Sequence, residues 1–188
     1  MSRVKTAYFV HGVLLVGAIW LFNSTVRLRN RAREAFSGID VQLKRRHDLV
    51  PNLVRAVGAY ARHEREALEE VTRLRGAAEA AGAVPERERS ERGLREGIVN
   101  LLALVERYPD LKADANFRRL QDDLVEVEDH LQYARRYYNG AVRDFNTRIE
   151  QFPASLLAAL CGWRLLDLFQ VAEAEERAAP RIQGQDLS

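Results

Sequence analysis

Cysteine is almost absent: Cys161 is the only one in 188 residues. A disulfide framework and a multi-cysteine zinc site are thereby excluded. Cys161 sits in an apolar run, and Arg164 alone gives little of the positive charge that a reactive thiolate needs, so it reads as inert. Lysine is scarce as well, with Lys5, Lys44 and Lys112 the only three among 29 cations. The 29 cations face 27 carboxylates, and a net charge of +2 gives no whole-protein attraction to nucleic acid. The basic clusters Lys44-Arg45-Arg46, Arg118-Arg119 and Arg135-Arg136 are interleaved with Asp122-Asp123, Glu126 and Glu128-Asp129. Solvated, salt-bridged faces account for them, and no nucleic-acid partner is expected.

Catalytic motifs are missing too. A di-iron helical bundle needs Glu-x-x-His on two helices. Three residues before His47, His63 and His130 stand Lys44, Tyr60 and Val127. His63-Glu64 opens like a zincin helix but continues Arg-Glu-Ala, so H-E-x-x-H is absent. Neither a Gly-rich nucleotide loop nor a G-x-S-x-G elbow occurs. The chain is expected not to be an enzyme and to carry no cofactor and no metal.

No stretch alternates in the manner of a strand, and helical stripes fill the chain instead. With 47% hydrophobic and 30% charged residues, most of it should fold, and its length suits one compact domain. The apolar run Ala7 to Phe22 (AYFVHGVLLVGAIWLF) follows Arg3 and Lys5. Signal-peptide cleavage lacks a small-residue site, because Ile19-Trp20-Leu21-Phe22 is bulky. A core helix fits the length of the run. Extended over Val4 to Val26, it reaches the ~20 residues of a membrane helix, with Tyr8 and Trp20 near the interfaces. An uncleaved anchor over residues 1–26 is the favoured reading. Arg27, Arg29, Arg31 and Arg33 follow it, which predicts an N-out, C-in orientation with the rest of the chain in the cytoplasm.

Four stripes follow. Leu28, Ala32, Phe36, Ile39 and Leu43 form the first, and Val50 to Leu74 the second. Leu94, Ile98, Leu101, Val105 and Tyr108 form the third. Phe117 to Phe152 is a near-heptad seam. Lys44 to Asp48 reads as a capped corner between the first two, with cations in a last turn, Asp48 as N-cap and Pro51 in the next first turn. Residues 78–90, with Gly82 and Pro85, read as a loop. Asp114 is the expected N-cap of the fourth helix, and Pro153 its end. The expected fold is all-α: an N-terminal transmembrane helix, then an antiparallel up-and-down four-helix bundle over 27–153. An apolar helix over 154–172 and a flexible tail over 173–188 complete it. By this topology Phe152 returns toward the membrane. The apolar helix then either folds back on the bundle end or lies in the interface, with Trp20, Leu156, Leu157, Leu160, Trp163 and Phe169 as candidate membrane contacts.

Asn139, Arg143, Asn146 and Glu150 recur at steps of 4, 3 and 4, so they line one helical face. Three readings stand beside one another: a solvated bundle face, a register or partner-binding stripe, and a small ligand-sensing pocket.

Three blocks are distinctive. They are LRNRAREAFSGIDVQLKRRHDLVPNLVRAVGAYARHE (28–64), RYPDLKADANFRRLQDDLVEVED (107–129) and RYYNGAVRDFNTRIEQFPASLLAALCGW (136–163). In these blocks and their order the chain resembles the LemA family. The resemblance implies a bacterial membrane protein with one N-terminal transmembrane helix, an antiparallel helical bundle and a role in envelope or membrane organisation. It brings no enzyme motif. The expected function is therefore a membrane-anchored scaffold at the inner membrane that binds proteins or copies of itself.

Overall fold

A computed structural model describes residues 2–169, and within these the chain is all-helical with no strand. Helix α1 spans Ser2–Tyr60, α2 Arg65–Ala80, α3 Val84–Val105, α4 Pro109–Ala113, α5 Ala115–Glu150 and α6 Ala154–Cys161. The expected tail and residues 170–172 of the expected apolar helix lie outside the described residues.

Helix α1 holds 59 residues, so it is ~90 Å long. Its N-terminal part is long and apolar enough to cross a membrane, and only 6% of its most apolar stretch is buried. A core helix would be mostly buried. Leu14, Leu15, Val16, Ile19 and Trp20 are exposed.

The expected corner at Lys44–Asp48 does not exist, because α1 runs straight through it and through Pro51. A proline inside a helix removes the N–H that would bond the carbonyl four residues back. That carbonyl belongs to His47, and the Arg75 guanidinium donates to it at 2.9 Å. A side chain from α2 thus fills the gap that Pro51 opens. Asp48 caps nothing and lies one turn from Lys44, at 3.9 Å. Restoring the N–H with Pro51→Ala should raise stability by about 1 kcal/mol or more. Arg75→Met should then cost less in the Pro51→Ala background than in wild type, which a double-mutant cycle of thermal unfolding would measure.

The chain turns instead at Ala61–Glu64. No helix breaker stands there. Glu64 accepts from Arg107 at 2.8 Å and from the Tyr108 hydroxyl at 3.1 Å, which ties this turn to the end of α3. The expected loop over 78–90 shrinks to the few residues between α2 and α3. Pro85 sits in the first turn of α3, where its missing N–H has no partner to lose, so the Arg/Glu run becomes helix. Asp114 does cap α5, accepting from the Phe117 amide at 2.8 Å. Asp114→Ala should cost about 1 kcal/mol in thermal unfolding.

The long helices α1 and α5 are antiparallel: Arg45 meets Glu126 while Ser24 meets Arg148. Helices α2 and α3 form a hairpin against the half of α1 far from the apolar run. One core cluster lies there, around Leu53, Val57, Leu94, Leu101 and Phe117. A second joins Ala32, Ile39 and Leu43 to Val127, Leu131, Tyr138 and Val142. The seam of α5 is buried from Phe117 to Ile149, with Ala134 partly exposed, but Phe152 beyond it is 80% exposed.

Helix α6 ends earlier than expected. Gly162 takes φ +66°, the Trp163 amide donates to the Ala158 carbonyl at 2.9 Å, and the Gly162 amide donates to Ala159. This is a Schellman cap, which only glycine forms without strain. From Trp163 to Phe169 the chain carries no helix and runs back along α5 as a strap.

Candidate functional site

The expected stripe on α5 splits in two. Arg143 and Glu150 are exposed. Asn139 is 4% exposed and Asn146 partly buried, and both grip the strap. The Asn139 amide nitrogen donates to the Phe169 carbonyl at 2.7 Å, and its oxygen accepts from the Phe169 amide at 2.9 Å. Asn146 does the same for Leu166, at 2.9 Å in both directions. The Tyr138 hydroxyl donates to the Asp167 carbonyl at 2.8 Å. The spacing explains the fit. One heptad of helix rises ~10.5 Å, and three extended residues span about as much. Two amides one heptad apart therefore meet every third residue of an extended chain.

Phe169 is 1% exposed, packed against Tyr138 at 5.6 Å and Phe36 at 6.1 Å between ring centres, with Arg135 over its face at 5.8 Å. The expectation of Phe169 as a membrane contact is corrected on that ground: its ring is spent inside the protein. Burial, and then the Asp167 charge, raise the Tyr138 phenol above its ordinary value. The phenol stays a donor at neutral pH.

A second polar centre was hidden by the corner reading. Arg46 and His47 occupy the stripe between Leu43 and Val50 and point into the core. Glu91 of α3, 1% exposed, accepts from Arg46 at 3.1 Å and lies 2.7 Å from His47 Nε2. Arg46 also pairs with Glu128 of α5, and Arg95 of α3 lies 3.6 Å from that carboxylate. Glu79 of α2 stands 4.0 Å from His47 Nδ1 and 2.7 Å from Arg75. Four helices thus meet at one charged knot. Arg135 borders it. Burial and the Arg46 charge pull its guanidinium below the ordinary value, while Glu128, Glu91 and Glu88 oppose this.

A cleft of about 260 Å³ opens onto the knot beside Asp40, His47, Glu79, Arg87 and Glu91. No group of three or more metal-binding side chains is found among the described residues. The α5 amides, which one of the three readings turned toward a ligand, face the chain's own backbone.

At the other end, Arg148 donates to Ser24 at 3.3 Å and Trp163 stacks on Phe22 at 5.6 Å. The end of α5 and the start of the strap therefore sit level with the end of the apolar run. Of the remaining candidate contacts, Trp20, Leu156 and Leu160 are exposed, while Leu157 and Trp163 are partly buried.

A family model described as LemA family matches residues 35–183. Protein LemA of Metamycoplasma hominis is 25% identical over 183 residues, covering 93% of this chain and 83% of that protein. Magnetosome proteins MamQ 2 and MamQ 1 of Paramagnetospirillum magneticum are each 31% identical over 78 residues, or 42% of this chain. The match spans only 29% of the length of each of these two magnetosome proteins.

Proposed function

The chain belongs to the LemA family, and from that premise we propose that it is a non-enzymatic scaffold of the bacterial cell membrane. Helix α1 anchors it, and the helical body, read as a four-helix bundle on the cytoplasmic side, binds other proteins or copies of itself. The observation that carries this reading is the division of α1. One end is an exposed apolar rod, and the other is the central strut of a charged helical body. Phe152, Leu156 and Leu160 stay exposed where the chain has returned to the end of that rod. They suit a second, shallow contact with the bilayer. Tyr133 and Tyr137, one turn apart on α5, are 68% and 52% exposed and offer aromatic anchors to a partner. Relatives that bear magnetosome names fit work in an assembly.

A photo-crosslinking residue at Tyr133 in the full chain, activated in intact membranes, tests the scaffold. A discrete adduct with a protein or a second copy is expected. The absence of any adduct from this face and from Tyr137 would remove the reading. Leu156→Glu with Leu160→Glu tests the second contact. Labelling by a lipid-borne carbene probe should drop at α6 and persist along α1.

A further inference from the structure

The ion pairs of this protein are unevenly placed. Every one described joins positions between Asp40 and Glu128, in the half far from the apolar run. Arginines also crowd the other half. Arg27, Arg29, Arg31 and Arg33 follow the run on α1, Arg143 and Arg148 approach from α5, and Arg164 comes from the strap. Arg148 is spent on the Ser24 hydroxyl. The other six make no ion pair within the described residues, although Glu34, Asp144, Glu150 and Asp167 lie on the same segments. We propose that these arginines form a collar that binds the anionic headgroups of phospholipids. This deepens the membrane reading above and rests on it.

Geometry supports the collar. The buried face of α1 here carries Thr25, Ala32 and Ala35. At 100° per residue, Arg27 and Arg31 flank that face on one side and Arg29 and Arg33 on the other. The collar therefore reaches round both sides of the helix. Arg27 lies ~8 Å and Arg33 ~16 Å beyond Phe22 along the axis. Trp163 against Phe22 marks the level where aromatic rings settle at an interface. The nearer arginines thus stand within a Debye length, ~8 Å, of a charged leaflet, and the farther ones feel it less. Guanidinium groups match phosphate oxygens with paired hydrogen bonds, which suits a diester headgroup. An arginine engaged within the protein would not be free to do this. The distal half, whose cations need no lipid, pairs many of them internally.

The test uses the full chain reconstituted into mixed vesicles of phosphatidylcholine and phosphatidylglycerol. Protein is then extracted with its surrounding lipid into polymer-bounded discs, and the two lipids are quantified. Phosphatidylglycerol should be enriched several-fold over the bulk vesicle, and enrichment should fall at high salt. Arg27→Gln with Arg31→Gln and Arg164→Gln, all exposed positions, should lose most of that several-fold enrichment. Arg118→Gln with Arg119→Gln, exposed at the far end, should keep it. Bulk lipid ratios around the wild type, enrichment insensitive to salt, equal loss in the distal control, or displacement by inorganic phosphate at constant ionic strength would each overturn the collar. Incorporation without preference sinks the collar alone, whereas failure to enter either lipid sinks the membrane reading itself.

Discussion

Glu91→Ala should lower the free energy of unfolding by about 3–5 kcal/mol, the usual effect of leaving buried charges without their partner. Whole domains are stable by only about 5–15 kcal/mol, so this is a large fraction. Glu91 is 1% exposed, and its two oxygens serve Arg46 at 3.1 Å and His47 at 2.7 Å. Alanine strands both donors in the core. Arg46 keeps Glu128, so the loss should stay below what a fully isolated guanidinium would suffer. Glu91→Gln keeps an acceptor and the shape, and should fall between wild type and alanine. The converse replacement separates stability from specificity. Arg46→Met, His47→Leu and Glu91→Leu, combined with Glu128→Gln for the carboxylate that Arg46 also pairs, remove the charges at the centre of the knot and should be neutral or stabilising, by up to about 4 kcal/mol. If that variant melts later but loses cooperativity, the knot sets helix register rather than stability. Thermal and denaturant unfolding of the detergent-solubilised chain measures all three. A loss below about 1 kcal/mol for Glu91→Ala is the level of an exposed pair and would mean that the knot is solvated.

The knot was half legible. Arg46 and His47 sit where the stripe of α1 calls for apolar residues, between Leu43 and Val50, and Glu88 and Glu91 do so before Leu94. Polar residues in core register signal a buried network. The local rules for caps and prolines explained the same residues as a corner, and nothing near Pro51 in sequence argues otherwise. The deciding group, Arg75, stands 28 positions beyond the carbonyl it serves. The seam of α5 was readable because it is long and periodic, and Asp114 because a cap acts locally. Helix α6 and the strap share one apolar composition, which says nothing about where helix becomes extended chain. Gly162 was the available signal for that change. For Asn139 and Asn146 the spacing pointed to a shared face, but their partner lies 20 to 30 residues further on and binds through its backbone, which leaves no mark in side-chain pattern.

That backbone contact yields the second large effect. Asn139→Leu should release the strap while leaving the α1–α5 pair intact. The Phe169 amide and carbonyl are buried and bonded to Asn139 alone among the described contacts. Leaving such groups unsatisfied costs about 1–3 kcal/mol each. Leucine cannot serve them, so the cheaper response is for the strap to lift and take its hydrogen bonds from water. Lifting also exposes the Phe169 ring, which forfeits about 1.5–3 kcal/mol of burial. That ring cost is common to wild type and variant, so the unsatisfied groups alone set how far the local opening equilibrium moves. A shift of about 3 kcal/mol is roughly a hundred-fold, since 1.4 kcal/mol is ten-fold. Hydrogen exchange at the Leu166 and Phe169 amides should accelerate by that order, with exchange at Leu131 and Ile39 unchanged. Asn146→Leu should act more weakly, because its contact is only partly buried. Arg143→Ala and Glu150→Ala, on the same face but exposed, should leave the strap in place. Uniform acceleration across α1 and α5 would show that the strap cannot open alone and that the amides belong to the core rather than to a clamp. Acceleration confined to residues 163–169 would show a segment held by a few α5 side chains, Asn139, Asn146 and Tyr138, and separately releasable, which is what a strap beside a membrane needs if partner or lipid is to displace it.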